Sequence, residues 1–265
     1  MPLTGPALLG PEDPVAVELR DDDARAPVLL TCDHASNAVP RSLAGLGLAP
    51  GAIEQHIGWD IGAAAVTRRL ARALGAPAIL SGYSRLVIDC NRDPRDPSSI
   101  PEESDGISVP GNRQLAPEAR ARRHQACFDP YHQAIAARLD ALSAAGGVPA
   151  LLSIHSFTPV MNGFARPWQV GILWDKDQRL AVPLLAALRA DPSLVVGDNE
   201  PYSAHEPAGY TLRHHGVTRG LPHLAIELRQ DQIAEPDGAA AWAARLAAVL
   251  SPILARREIY YAEQF

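Results

Sequence analysis

The sequence predicts an α/β fold, a central sheet covered by helices on both faces. Three observations carry this. Short apolar runs alternate with helical stretches along the whole chain. The runs are almost continuously apolar, as strands buried on both sides must be, rather than alternating apolar and polar. With 265 residues, 47% of them hydrophobic, and neither an internal repeat nor a linker, the chain suits a single large domain over 1–265.

In chain order, the first clear strand is "APVLLTC" (26–32), which runs into Asp33-His34. "DIGAAAVTRRLARAL" (60–74) reads as a helix opened by Asp60, and "APAILSG" (76–82) and "RLVID" (85–89) read as strands. The stretch 91–117 is irregular and rich in Pro, Ser, Gly and acidic residues. A loop this long inside a compact domain usually has a function or no fixed structure, so 93–116 stands as a lid candidate or a plain surface loop. A helical stretch follows over 117–147, then strands over 149–155 and 169–174, a helix over 178–190, a strand over 223–229 and a helix over 236–257. Pro130, Pro183 and Pro252 should start, kink or end helical segments.

Composition excludes several classes. The net charge of −6 argues against nucleic acid or an anionic membrane as partner. No apolar run approaches the roughly 18–20 residues that span a bilayer. Cys32, Cys90 and Cys127 are an odd number without a CxxC, and the N-terminal stretch lacks the basic start of a signal peptide. A reduced, cytoplasmic protein is expected.

Four polar groups stand where apolar elements begin or end. Glu227 lies inside "HLAIELR", where a carboxylate must be paired, protonated or functional; an ion pair with Arg229 is the plain alternative. His155 leaves the strand "PALLSI" and His34 follows "VLLTC"; either could be a satisfied core histidine. Asp60 could simply cap its helix. Together, however, two imidazoles, a carboxylate and a water make a catalytic zinc shell, and a second carboxylate supplies a base. Asp33 and Glu54 are further carboxylates near His34 in sequence. Arg85, Asn91 and Arg92 surround one strand exit and could grip a carboxylate, or pair with Asp89, Asp93 and Asp96 at the surface. Residues 199–216 add Tyr202, Tyr210, Arg213, His214 and His215, which either line a pocket or cover the sheet. His56, His124, His132, His205 and His223 show no partner pattern. Cys32 or Cys90 beside a histidine would suit a thiol hydrolase, although each ends an apolar strand, where cysteine is a small hydrophobe.

The set "DHASNAVP" (33–40), "HIGWDIGA" (56–63), "SRLVIDCNRDP" (84–94), "SIHSFTP" (153–159) and "AIELR" (225–229) resembles the N-formylglutamate amidohydrolase family across roughly residues 27–230. "SIHSF" and "IELR" are also similar to the corresponding strands of zinc carboxypeptidases. The resemblance implies a phosphorylase/hydrolase-like α/β/α three-layer sandwich with a mixed sheet and one zinc. It implies that His34 and His155 bind the metal and that Glu227 is the general base. Asn37 stands where carboxypeptidases carry their carboxylate ligand; Asp60 stands where cell-wall amidases of similar fold carry theirs. Asn91-Arg92 matches the Asn-Arg pair that grips a substrate carboxylate, and Arg85 is a further candidate. "His34-Ala35-Ser36-Asn37" departs from the His-Ser-Gly of the histidine-degradation members. The expected activity is zinc-dependent hydrolysis of N-formyl or other N-acyl amino acids, small substrates carrying a carboxylate. A carboxypeptidase or cell-wall-type amidase, or a metal-free binding protein, are the alternatives.

Overall fold

The alternating apolar runs build a single mixed sheet. The computed structural model describes residues 7–20, 24–204 and 209–265. Its strands are β1 (Val17–Arg20), β2 (Val28–Cys32), β3 (Ala78–Ser81), β4 (Glu103–Ser104), β5 (Ile107–Ser108), β6 (Ala150–Phe157), β7 (Val160–Met161), β8 (Phe164–Ala165), β9 (Val170–Leu173), β10 (Val196–Asp198) and β11 (His223–Arg229). The α-helices are α1 (Ala63–Leu74), α2 (Pro117–Arg123), α3 (Asp129–Ala144), α4 (Gln178–Arg189) and α5 (Pro236–Leu254). Seven strands form the sheet in the order β1-β3-β2-β6-β11-β9-β10. The four central strands β3, β2, β6 and β11 are parallel. β1 runs antiparallel at one edge, and β9 joins β11 antiparallel and carries β10. β4–β5 and β7–β8 are short separate hairpins.

Alternation along the strands decides the layers. Leu30, Leu152, Ile154 and Ile226 pack with Val66 and Leu70 of α1, Leu184 of α4 and Leu246 of α5. Their neighbours Leu29, Ile79, Leu151 and Ala225 pack on Tyr131, Ile135 and Leu139 of α3. Each fully buried leucine or isoleucine contributes about 1.5–3 kcal/mol, so the sheet needs both helical layers. The result is the three-layer sandwich. Among the described residues no helix is long and apolar enough to cross a membrane.

Two expectations change. Residues 85–89 are not a strand, although 86–89 are buried. Their backbone groups find side-chain partners instead of a ladder: Asn112 donates to the Leu86 carbonyl at 2.8 Å and Arg123 to the Val87 carbonyl at 3.1 Å, while the Ser84 hydroxyl accepts from the Leu86 N–H. The stretch 117–147 is not one helix: α2 gives way to a wider turn over His124–Phe128, where the Asp129 N–H reaches back to His124, and α3 then starts with Pro130 in its first turn. Pro183 lies inside α4 and Pro252 inside the last turn of α5, and neither stops its helix at once. The irregular segment 93–116 is anchored near its middle: Ile100 and Val109 join a third apolar cluster with Leu46 and Leu86, and Arg123 donates to Asn112 at 2.6 Å.

Candidate metal centre

The three adjacent parallel strands β2, β6 and β11 present their carboxyl ends side by side, which is where open α/β sheets gather functional groups. His34 follows β2. His155 lies on β6 directly opposite Glu227 on β11. Asp60 precedes α1, its N–H bonded to the His34 carbonyl at 2.9 Å.

Asp60 does not cap that helix. The cap position is Gly62, at φ 82 and without a side-chain cap bond. A Cβ there would lie 2.3 Å from the Ile233 carbonyl oxygen, so only glycine fits. The Asp60 carboxylate turns inward instead. Its Oδ2 lies 2.8 Å from His155 Nδ1 and 3.3 Å from His34 Nδ1. Ligand atoms of His34, Asp60 and His155, all buried, lie within 4.8 Å of one another. Tetrahedral coordination with bonds near 2.0–2.1 Å would put ligand atoms about 3.3–3.4 Å apart, so the donor set fits a divalent metal.

The far side of each imidazole is held by a carboxylate. His34 Nε2 lies 2.7 Å from Asp89 Oδ1, and His155 Nε2 lies 3.0 Å from Asp33 Oδ2. Such partners keep the proton on Nε2 and leave the Nδ1 lone pair facing inward. Asp33 also accepts from Tyr131 at 2.8 Å, Thr211 at 2.6 Å and Ser153 at 3.0 Å. Arg85 spans the cluster, donating to Asp89 at 3.0 Å and meeting Asp60 at 3.5 Å.

Electrostatics follow from these contacts. Burial opposes ionisation of Asp33, Asp60 and Asp89, yet the neighbouring histidines, with Arg85 at Asp89, hold all three well below the usual carboxylate range. Burial likewise opposes a charge on His155, but its bonds to Asp33 and Asp60 raise its pKa well above the ordinary value. With neutral imidazoles, three carboxylates face the single Arg85 guanidinium, and the excess negative charge favours a dication.

Glu227 is 6% exposed, and its Oε2 has no hydrogen-bond partner. Burial pushes its pKa up to about 7, against the pull of His155 and with the push of Asp60. Arg229 is not its partner, being paired with Asp231 at 2.8 Å.

The other sequence candidates either support the group or stand outside it. Asn91 donates its backbone N–H to Asp89 at 2.8 Å, and its side-chain oxygen accepts from the Thr211 N–H at 3.1 Å. Arg92 is exposed and lines an open depression of about 520 Å³ with Asn91, Arg95, Tyr210 and Arg213. Glu54 is exposed and stands apart. His132 and His215 bond each other at 3.0 Å, and His205 lies outside the described residues. Cys32 and Cys90 are buried, with thiols pushed well above the ordinary pKa by burial, so neither suits a thiolate nucleophile. Sequence reasoning missed Asp89 and Asp33 as partners of the histidines, and it missed Tyr131, Ser153 and Thr211 altogether.

A family model described as N-formylglutamate amidohydrolase matches residues 26–234, which hold every group of this centre. The chain belongs to the N-formylglutamate amidohydrolase family. Among solved structures, a gene product of Agrobacterium tumefaciens is 37% identical over 93% of this chain and 98% of its own, with a TM-score of 0.89. An N-formylglutamate amidohydrolase from Ralstonia eutropha JMP134 shares the fold at 18% identity and a TM-score of 0.65, over 91% of this chain and 97% of its own. No curated protein matches the chain.

Proposed function

We propose that this family member is a zinc-dependent amidohydrolase that splits the amide bond of N-formyl or other N-acyl amino acids, releasing formate or the corresponding acid and the free amino acid. The observation that carries the reading is the convergence of His34 Nδ1, His155 Nδ1 and Asp60 Oδ2 beside the unpartnered, buried Glu227. Bound there, zinc would polarise the amide carbonyl and acidify a water. The chain's own residues do the rest. Asp89 and Asp33 hold the two imidazoles in one tautomer, and Arg85 fixes Asp89 and Asp60. Glu227, raised toward neutrality, takes the water's proton and returns it to the leaving amine. Asn91 and Arg92, which follow Asp89 closely in sequence, offer an amide and a guanidinium to a substrate carboxylate.

Metal analysis and a substrate panel test this together. Protein purified without added zinc or chelator should carry about one zinc per chain, and His34→Ala, Asp60→Ala and His155→Ala should each lose most of it. N-formyl amino acids should be hydrolysed in preference to dipeptides and muropeptides. Stoichiometric zinc in Asp60→Ala would remove Asp60 from the shell. Preferred cleavage of peptides would favour a carboxypeptidase or cell-wall-type amidase.

A further inference from the structure

Arg166 is a further arginine near the carboxyl ends of the central strands, and its setting differs from that of Arg92. It follows the β7–β8 hairpin, which leaves the carboxyl end of β6, and its carbonyl is held by Arg229 at the end of β11. It therefore stands at the sheet end that carries His155 and Glu227. The residue is 7% exposed. Its Nη1 donates to the Thr158 carbonyl at 3.4 Å, the Thr158 hydroxyl at 3.3 Å and the Tyr202 hydroxyl at 3.2 Å. The guanidinium lies over the rings of Phe157 and Tyr202, 5.7 and 5.0 Å from their centroids. Among the described residues no carboxylate pairs with it, and its Nε and Nη2 are left without a partner.

One edge of this largely buried cation is thus left open to an anion. Tyr202 is its nearest polar partner, hydrogen-bonded at 3.2 Å with its ring beneath the guanidinium, and the charges of Glu227 and Asp60 reach that hydroxyl. The open edge of Arg166 has the forked geometry that matches a carboxylate. Arg92, by contrast, is exposed, where solvent and salt screen an ion pair.

We infer that Arg166, assisted by Tyr202, is the main anchor of the substrate's carboxylate and so selects acyl amino acids with a free carboxylate. The inference rests on the amidohydrolase reading for its substrate, but not for its test.

The experiment compares N-formyl derivatives of alanine, leucine, glutamine and glutamate, each beside its α-carboxamide, as substrates of wild type, R166M, R166Q and R92L. R166M should lose about 10- to 100-fold in kcat/KM on the acids and little on the carboxamides, as expected for a charge-assisted pair. R92L should lose less, and its loss should shrink with added salt. R166Q can still donate to Thr158 and Tyr202, so it carries the comparison should R166M fail to fold. Calorimetric binding of the same compounds is measured in parallel. If wild type hydrolyses none of them, the amidohydrolase reading fails, while a binding preference for acid over carboxamide that disappears in R166M or R166Q still supports Arg166. Equal losses on acids and carboxamides, or an undiminished acid preference in a folded Arg166 variant, would overturn the inference.

Discussion

Glu227 illustrates how much one side chain can reveal. A carboxyl group on a buried strand, with one oxygen unpartnered and its pKa near neutrality, gains nothing for stability from its position. Glu227→Gln keeps the shape and removes the base. Zinc content and thermal stability should change little, and the catalytic rate should fall by about 10²–10⁴. A folded, zinc-loaded Glu227→Gln protein at near wild-type rate would refute the proton-transfer role. Glu227 stood out in the sequence because an acid inside "HLAIELR" must be paired, protonated or functional, and only the fold shows that Arg229 does not pair with it. Asp89 did not, since Arg85 and Arg92 nearby offered it surface partners; only the fold shows that it bonds His34. Thr211 was beyond reach altogether, 178 positions from the Asp33 carboxylate it supports.

Elements show a similar division. Strands 26–32, 149–155 and 223–229 were legible because burial on both faces leaves an unmistakable apolar run. The half-exposed edge strand β1 and the three-residue β10 leave no such trace. The packing of α3 against the helical turn Leu212–Val217 was hidden too, because it depends on single histidines far apart in sequence. His132 Nε2 bonds the Cys90 carbonyl at 2.8 Å, so its Nδ1 must accept from His215 Nε2 at 3.0 Å. Both rings are then neutral. Burial lowers His132 to about 4 and His215 to about 3, with His132, His214 and Arg219 opposing charge on His215 and Asp33 favouring it. Their unfolded pKa is near 6.5, so the unfolded chain binds more protons between that pH and the folded values. Stability is full above about pH 6.5 and is lost as the pH falls toward 4, by about 2 kcal/mol per histidine between pH 7 and pH 5. Glu227 and His155, whose pKa values are raised, gain stability as the pH falls and oppose this loss, so the comparison of variants reads it: in urea unfolding, His132→Gln should lose less stability than wild type on going from pH 7 to pH 5. An unchanged pH slope in His132→Gln would place the acid sensitivity elsewhere.

At the scale of the whole molecule, the centre joins parts that are distant in sequence. Its donors come from the end of β2, the entry to α1 and the middle of β6, and their supports come from α3, β6 and the segments around Asp89 and Thr211. An unfolded chain cannot offer this set at once, so a metal bound there stabilises the native state by mass action. At free zinc about a thousand times its dissociation constant, the gain is about 4 kcal/mol. For a chain of this size that corresponds to a rise in Tm on the order of 10 °C. Scanning calorimetry of chelator-treated protein with and without zinc should show the rise. It should be larger at pH 8 than at pH 6, because protons compete for the two imidazoles. Asp60→Ala should lose most of the rise, because the remaining imidazoles bind zinc more weakly. Apo and zinc-treated proteins that melt together at both pH values would leave His34, Asp60 and His155 as an ion-pair network. The chain would then fit a binding protein that keeps the family's fold without its metal.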